Sequence, residues 1–185
     1  MQRFAGIDYG SKMAGTTCVA IQFESEIRVF QSEKNKDADA FVLKTLNEYN
    51  ILHVYLDAPL SLPLAYFGKA DEFFYRKADK MLRAMSPLFL GGLTARAMKL
   101  KHDLSKKNIV CTEVYPKALV QELKLHHYKV DLVLFNNALA EKLQLTINAS
   151  NWHQSDSILA WYSGFRHLQG FANYFGDEGE GIITV

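Results

Sequence analysis

Three strand-like runs near the start of this chain follow one another too closely to lie parallel. Residues 4–9, 15–23 and 26–31 are rich in β-branched and aromatic types, and the links between them are two to five residues long. A parallel pair needs a crossover of about a dozen residues or more, so these runs must pair antiparallel. The next unit reverses the constraint. From Asp37 to Tyr49 the apolar residues Ala40, Phe41, Leu43, Leu46 and Tyr49 recur at helical spacing, with Asp37 or Asp39 as N-cap, and a strand over 51–57 follows. A helix between two strands is a crossover, so the sheet turns parallel here.

The rest of the chain continues that pattern. Pro59 and Pro63 stop the strand after Asp57, and helices are expected over 71–84 and 94–107, joined by an apolar loop over 86–93. A strand over 109–114 leads through Tyr115 and Pro116 into a helix with proline in its first turn. Helices near 131–144 and 155–168, a glycine-rich acidic turn over 176–181 and a short terminal strand, IleIleThrVal, complete the order. The expected architecture is α/β: a mixed five-stranded sheet of three antiparallel and then parallel strands, flanked by helices. A helical insertion of about 64–107 separates strands 4 and 5, within one domain over 1–185.

Composition narrows the function classes. The formal net charge is +1, so any electrostatic recognition must be local. Cys18 and Cys111 lie in apolar runs without zinc-site spacing, which points to buried free thiols and a cytoplasmic protein. The N-terminus has no apolar signal core, and no stretch approaches the roughly 18 uninterrupted apolar residues of a membrane span.

The chemistry sits at strand ends. Asp8 closes the first apolar run, Asp57 closes the fourth and Glu113 the fifth, and on the expected topology these three acids occupy neighbouring strands. Asp156, in TrpHisGlnSerAspSer, belongs to the last helix, and His153 stands three residues before it. Ionised carboxylates about 4 Å apart repel by about 4 kcal/mol at an effective dielectric near 20, so converging acids protonate or separate unless a cation joins them. Mg²⁺ or Mn²⁺ suits such oxygens and can activate water against a phosphodiester.

This arrangement resembles the ribonuclease-H-like superfamily, and HisGlnSerAspSer resembles the final-helix signature of its Holliday-junction resolvases. Five ordered blocks, at 6–16, 57–63, 75–83, 93–100 and 113–117, resemble the family of domain of unknown function 429, which is grouped with predicted nucleases. The resemblance implies a metal-dependent nuclease acting by a two-metal mechanism. Asp8, Asp57, Glu113 and Asp156 would be its metal ligands, with Asp8 bridging, and His153 would orient water or carry a proton.

Nucleic acid is the implied partner, bound by a monomer or homodimer with no membrane association. Between 69 and 107 ten basic residues face four acidic ones, a local excess of six. Arg76, Asp79 and Arg96 match the family blocks and are candidate substrate-binding residues, together with Lys12 and Lys117. Phe73, Phe74 and Tyr75 are candidates for base stacking, although the two phenylalanines fit a core better. Two other readings stand beside the nuclease: a non-catalytic nucleic-acid or nucleotide-binding module, and an actin-like or sugar-kinase-like phosphotransferase. The latter shares the GlyIleAspTyrGly opening but needs two lobes, and this chain has material for about one.

Overall fold

The computed structural model describes residues 3–185. Strands β1 (Phe4–Asp8), β2 (Cys18–Phe23) and β3 (Glu26–Gln31) form the antiparallel meander required by their short links. Helix α1 (Ala38–Glu48) starts at Asp37, whose carboxylate accepts from the Asp39 and Ala40 N–H groups, and then crosses over to β4 (His53–Asp57). β4 pairs parallel with β1, as the crossover demands.

The insertion follows. It contains a 3₁₀ turn (Leu64–Phe67), α2 (Lys77–Leu82), α3 (Pro87–Leu90) and α4 (Gly92–Ser105), and it returns the chain to β5 (Val110–Glu113), parallel to β4. The helix expected over 71–84 survives only as α2. The Glu72 carboxylate takes the Phe74 and Tyr75 N–H groups, and Arg76 is extended, which delays the first turn.

Helices α5 (Pro116–Leu123) and α6 (Leu132–Leu143) lead to β6 (Thr146–Ile147), two residues that add a sixth strand parallel to β3. Helix α7 (Trp152–Leu168) begins three residues earlier than expected because Asn151 caps it, accepting from the Gln154 N–H at 3.1 Å. A hairpin, β7 (Tyr174–Asp177) and β8 (Gly181–Thr184), lies against the end of β5 through a Val114–Thr184 bridge. The sheet order is β5-β4-β1-β2-β3-β6, with the hairpin as a separate two-stranded sheet. The expected mixed sheet is present with one strand more.

Each face of the sheet carries its own core. On one face Ala5, Ile7, Val54 and Leu56 pack with residues of α1 and α4; on the other, Phe4 and Tyr55 pack with Trp161 of α7. Alternation along the strands therefore puts Phe4, Gly6 and Asp8 on the α7 side, together with Tyr55 and Asp57. Helix α7 reaches the sheet through a missing side chain. A Cβ on Gly6 would lie 2.0 Å from the Trp161 N and 2.4 Å from the Ser157 carbonyl oxygen. Among the described residues no helix is long and apolar enough to cross a membrane.

Candidate functional site

Asp8 and Asp57 are register partners across β1 and β4, so pairing and pleat together bring two carboxylates side by side at the strand ends. Asp8 lies two residues, about 7 Å of strand, beyond the Gly6 contact with α7. The first turns of that helix therefore overhang it: His153 Nδ1 is 2.8 Å from Asp8 Oδ2. Asp156, one turn further on and buried, completes a set of three acids with one imidazole. The helix start is tied to the sheet, since Gln31 at the end of β3 accepts at Oε1 from Asn151 Nδ2 (2.9 Å) and Gln154 Nε2 (2.8 Å).

The electrostatics record a crowded negative recess. Burial raises the Asp8 carboxyl above its ordinary range and Asp156 adds to the shift, while the bond from His153 opposes it. Asp57 is pushed well above that range by burial and by the charges of Asp8, Asp156 and Glu113. The bond to Asp8 in turn holds the His153 imidazolium above its usual range.

Two partners of Asp156 had no signal in the sequence. Tyr128 Oη donates to Asp156 Oδ1 at 2.9 Å and Lys129 Nζ to Oδ2 at 2.6 Å, both from the irregular loop between α5 and α6. Only the tertiary fold brings that loop over the acids, and no spacing within its own sequence relates it to them. Among the described residues, no three His, Cys, Asp or Glu side chains are gathered closely enough to hold an ion between them.

Glu113 is close enough to raise Asp57 and lines the same cavity, but its carboxylate is engaged elsewhere. It pairs with Leu56 rather than Asp57, and that offset of one residue turns its side chain toward the opposite pleat. There it accepts from Arg76 Nη1 at 2.8 Å and Nη2 at 2.6 Å, and from the Leu60 N–H at 2.8 Å. Arg76 also donates from Nε (3.0 Å) and Nη2 (2.7 Å) to Asp79 and from Nη1 to Ser61 Oγ (2.8 Å). Burial alone would lower the guanidinium pKa, but Glu113 and Asp79 outweigh it and raise it further. Arg76 and Asp79, expected at a substrate surface, are enclosed, with side chains 1% exposed. They brace the insertion against β5.

The other basic candidates are distributed. Arg96 donates to the Gly10 carbonyl at 3.0 Å and to Asp39 at 2.7 Å and lies over the Tyr9 ring, fastening the loop after Asp8 to α1 and α4. Lys12 pairs with Asp37 at 3.1 Å on the surface, and Lys117 is exposed on the first turn of α5. Phe73 and Phe74, expected in the core, are instead both exposed.

A cavity of about 300 Å³ opens next to Asp8 and Asp57, walled mainly by apolar side chains of the insertion and the hairpin. A larger one, about 680 Å³, lies at the opposite end of the sheet beside Phe4, Phe23 and Trp161, remote from the acids.

The Thermus thermophilus RuvC structure aligns over 92% of this chain and 98% of its own, with a TM-score of 0.52 and 16% identity. The chain has the ribonuclease-H-like fold. T. thermophilus RuvC in complex with Holliday junction substrate aligns over the same shares with a TM-score of 0.49 and 15% identity. No protein-family model and no curated protein matches the chain, so the blocks resembling domain of unknown function 429 have no family-model counterpart.

Proposed function

We propose that this chain is a divalent-metal-dependent nuclease that hydrolyses phosphodiester bonds at Asp8, Asp57 and Asp156, with His153 beside them. One observation carries the reading: two carboxylates are paired across adjacent strands on the face where a third descends from α7. Burial and mutual repulsion raise Asp8 and Asp57 even with Lys129 and His153 present, so the recess retains a deficit of positive charge. Hard oxygen donors with such a deficit fit Mg²⁺ or Mn²⁺. The residues now opposing the acids are able to move aside, because the Lys129 and His153 side chains are 44% and 47% exposed.

Bound there, such an ion would lower the pKa of water and stabilise charge on the phosphate oxygens. The chain's own groups divide the remaining work. His153, once released from Asp8, stands beside the acids and is placed to donate a proton to a leaving oxygen. Lys129, once released from Asp156, offers an ammonium to a phosphate oxygen. Glu113 is assigned to Arg76 and its bracing network rather than to the metal, and Arg96 holds the loop that follows Asp8. The free thiols of Cys18 and Cys111 favour a cytoplasmic protein, which we take to work as a monomer or homodimer.

A second reading, a nucleic-acid-binding module without catalysis, draws support from the Lys129–Asp156 pair, which places a resident cation where an ion would lie. One experiment separates the two. Labelled single-stranded, duplex and four-way-junction DNA and RNA are incubated with Mn²⁺ or Mg²⁺ and with the parent protein or Asp8→Asn. Cleavage by the parent alone is expected; binding without cleavage that survives Asp8→Asn would establish the module instead.

A further inference from the structure

The cavity beside the acids has a lining that phosphodiester hydrolysis does not require. Away from Asp8 and Asp57 its wall includes Pro59 after β4, Met85, Leu90 and Leu93 of the insertion, Tyr115 before α5 and Ile183 of β8. Phosphate needs donors and positive charge, and the one cation in this lining, Arg76, is already committed to Asp79 and Glu113, which line the cavity with it.

The apolar character extends outward from the cavity. Met85 is 58% exposed, and close by in sequence Phe74 and Phe89 are 54% and 64% exposed, their ring centroids 6.0 Å apart. Tyr75 meets Phe89 edge-on at 6.0 Å. Exposed apolar surface of this kind, adjoining a recess, marks a binding face. A carboxylate recess that would take a divalent cation and opens into an apolar slot matches a nucleotide, whose anionic phosphate the cation would attract next to a flat, weakly polar base. The volume of about 300 Å³ is at the small end of ligand sites and admits a base.

We propose that this cavity receives a single unstacked nucleobase next to the phosphate addressed by Asp8 and Asp57, so that the protein selects nucleic acid with an unpaired nucleotide at the cut site. The proposal rests on reading the acids as a nuclease centre. A base within a duplex is held by its partner and neighbours and enters only if extruded, whereas one at a bulge or strand exchange is already free. The predominantly apolar wall makes the preference one of pairing state more than of base identity.

The test uses oligonucleotides carrying 2-aminopurine, unpaired in a bulge, in a single strand or fully paired, titrated with protein in Ca²⁺ in place of Mg²⁺ or Mn²⁺, so that the acids are neutralised while cleavage is suppressed. A saturable fluorescence change is expected for the two unpaired forms and none for the paired duplex. Ala84→Trp fills the cavity and should remove that change, weakening binding of the bulged form by roughly 5- to 100-fold and leaving paired-duplex binding unaltered. Met85→Glu, at an exposed position, places a charge at the mouth and carries the test if the tryptophan variant does not fold. Equal affinity for bulged and paired forms, a signal that persists in folded variants, or no binding of any oligonucleotide would overturn the proposal. A fluorescence response with no cleavage once Mn²⁺ is added would reject the nuclease reading and keep the base site; cleavage without the response would reject the base site alone.

Discussion

Arg76→Met removes a guanidinium that two buried carboxylates share. Both members of the Arg76–Asp79 pair are 1% exposed and Glu113 is 6% exposed, so neither acid left behind can recover its lost partner from bulk water. Breaking a buried pair by removing one partner costs about 3–5 kcal/mol, a large share of the roughly 5–15 kcal/mol that holds a domain folded. With a urea dependence of about 2 kcal/mol per M, the unfolding midpoint should fall by about 2 M. Equilibrium unfolding followed by the fluorescence of Trp152 and Trp161 reads this directly.

The variant should also lose less at about pH 5 than at about pH 7.5. Burial already raises the Glu113 carboxyl and Arg76 opposes that shift, so with the guanidinium gone Glu113 titrates higher still when folded; protonation at low pH then relieves the folded state and the benefit is lost as pH rises through the folded pKa. Adding Asp79→Asn and Glu113→Gln should recover more than half the loss. A single-variant midpoint within about 0.5 M of the parent would refute the claim that this network braces the insertion.

Three further outcomes follow from the site. Asp57→Asn should raise the urea midpoint of the metal-free protein at neutral pH, because the folded-state pKa of Asp57 is raised and its ionised form opposes folding, and it should abolish cleavage. Mn²⁺ at about 100 times its dissociation constant should stabilise the parent by about 2.7 kcal/mol near pH 8 and by much less near pH 5, where protons compete for the raised acids; an equal thermal shift at both values would argue against Asp8 and Asp57 as ligands. Gly6→Ala should cost at least about 1–3 kcal/mol and suppress cleavage, since the new methyl meets the Trp161 and Ser157 backbone and pushes α7, with His153 and Asp156, away from Asp8. Parent-level cleavage by that variant would show that the α7–β1 approach does not position the acids.

Much of the fold was legible because local chemistry and chain direction act over short distances. The two-residue link between β2 and β3 permits only a hairpin, and the Asp37 cap with its apolar periodicity requires the crossover that sets β4 parallel to β1. Features that depended on distant partners were not legible. β6 is two residues long and exists because β3 leaves an edge to pair with, and α2 starts late because Arg76 must stay extended to reach Glu113.

The candidate site divides along the same line. The sequence by itself determined that acids stand at the ends of β1, β4 and β5, and that His153 and Asp156 share a helix, since these are matters of residue type and period. Which acids meet depends on strand register and on how α7 docks. Register pairs Asp57 with Asp8 but Glu113 with Leu56, and alternation converts that single step into opposite sides of the sheet. The ammonium of Lys129 reaches Asp156 from a loop 27 residues away in the chain, and no local pattern encodes a contact made by two segments that fold independently against the same sheet.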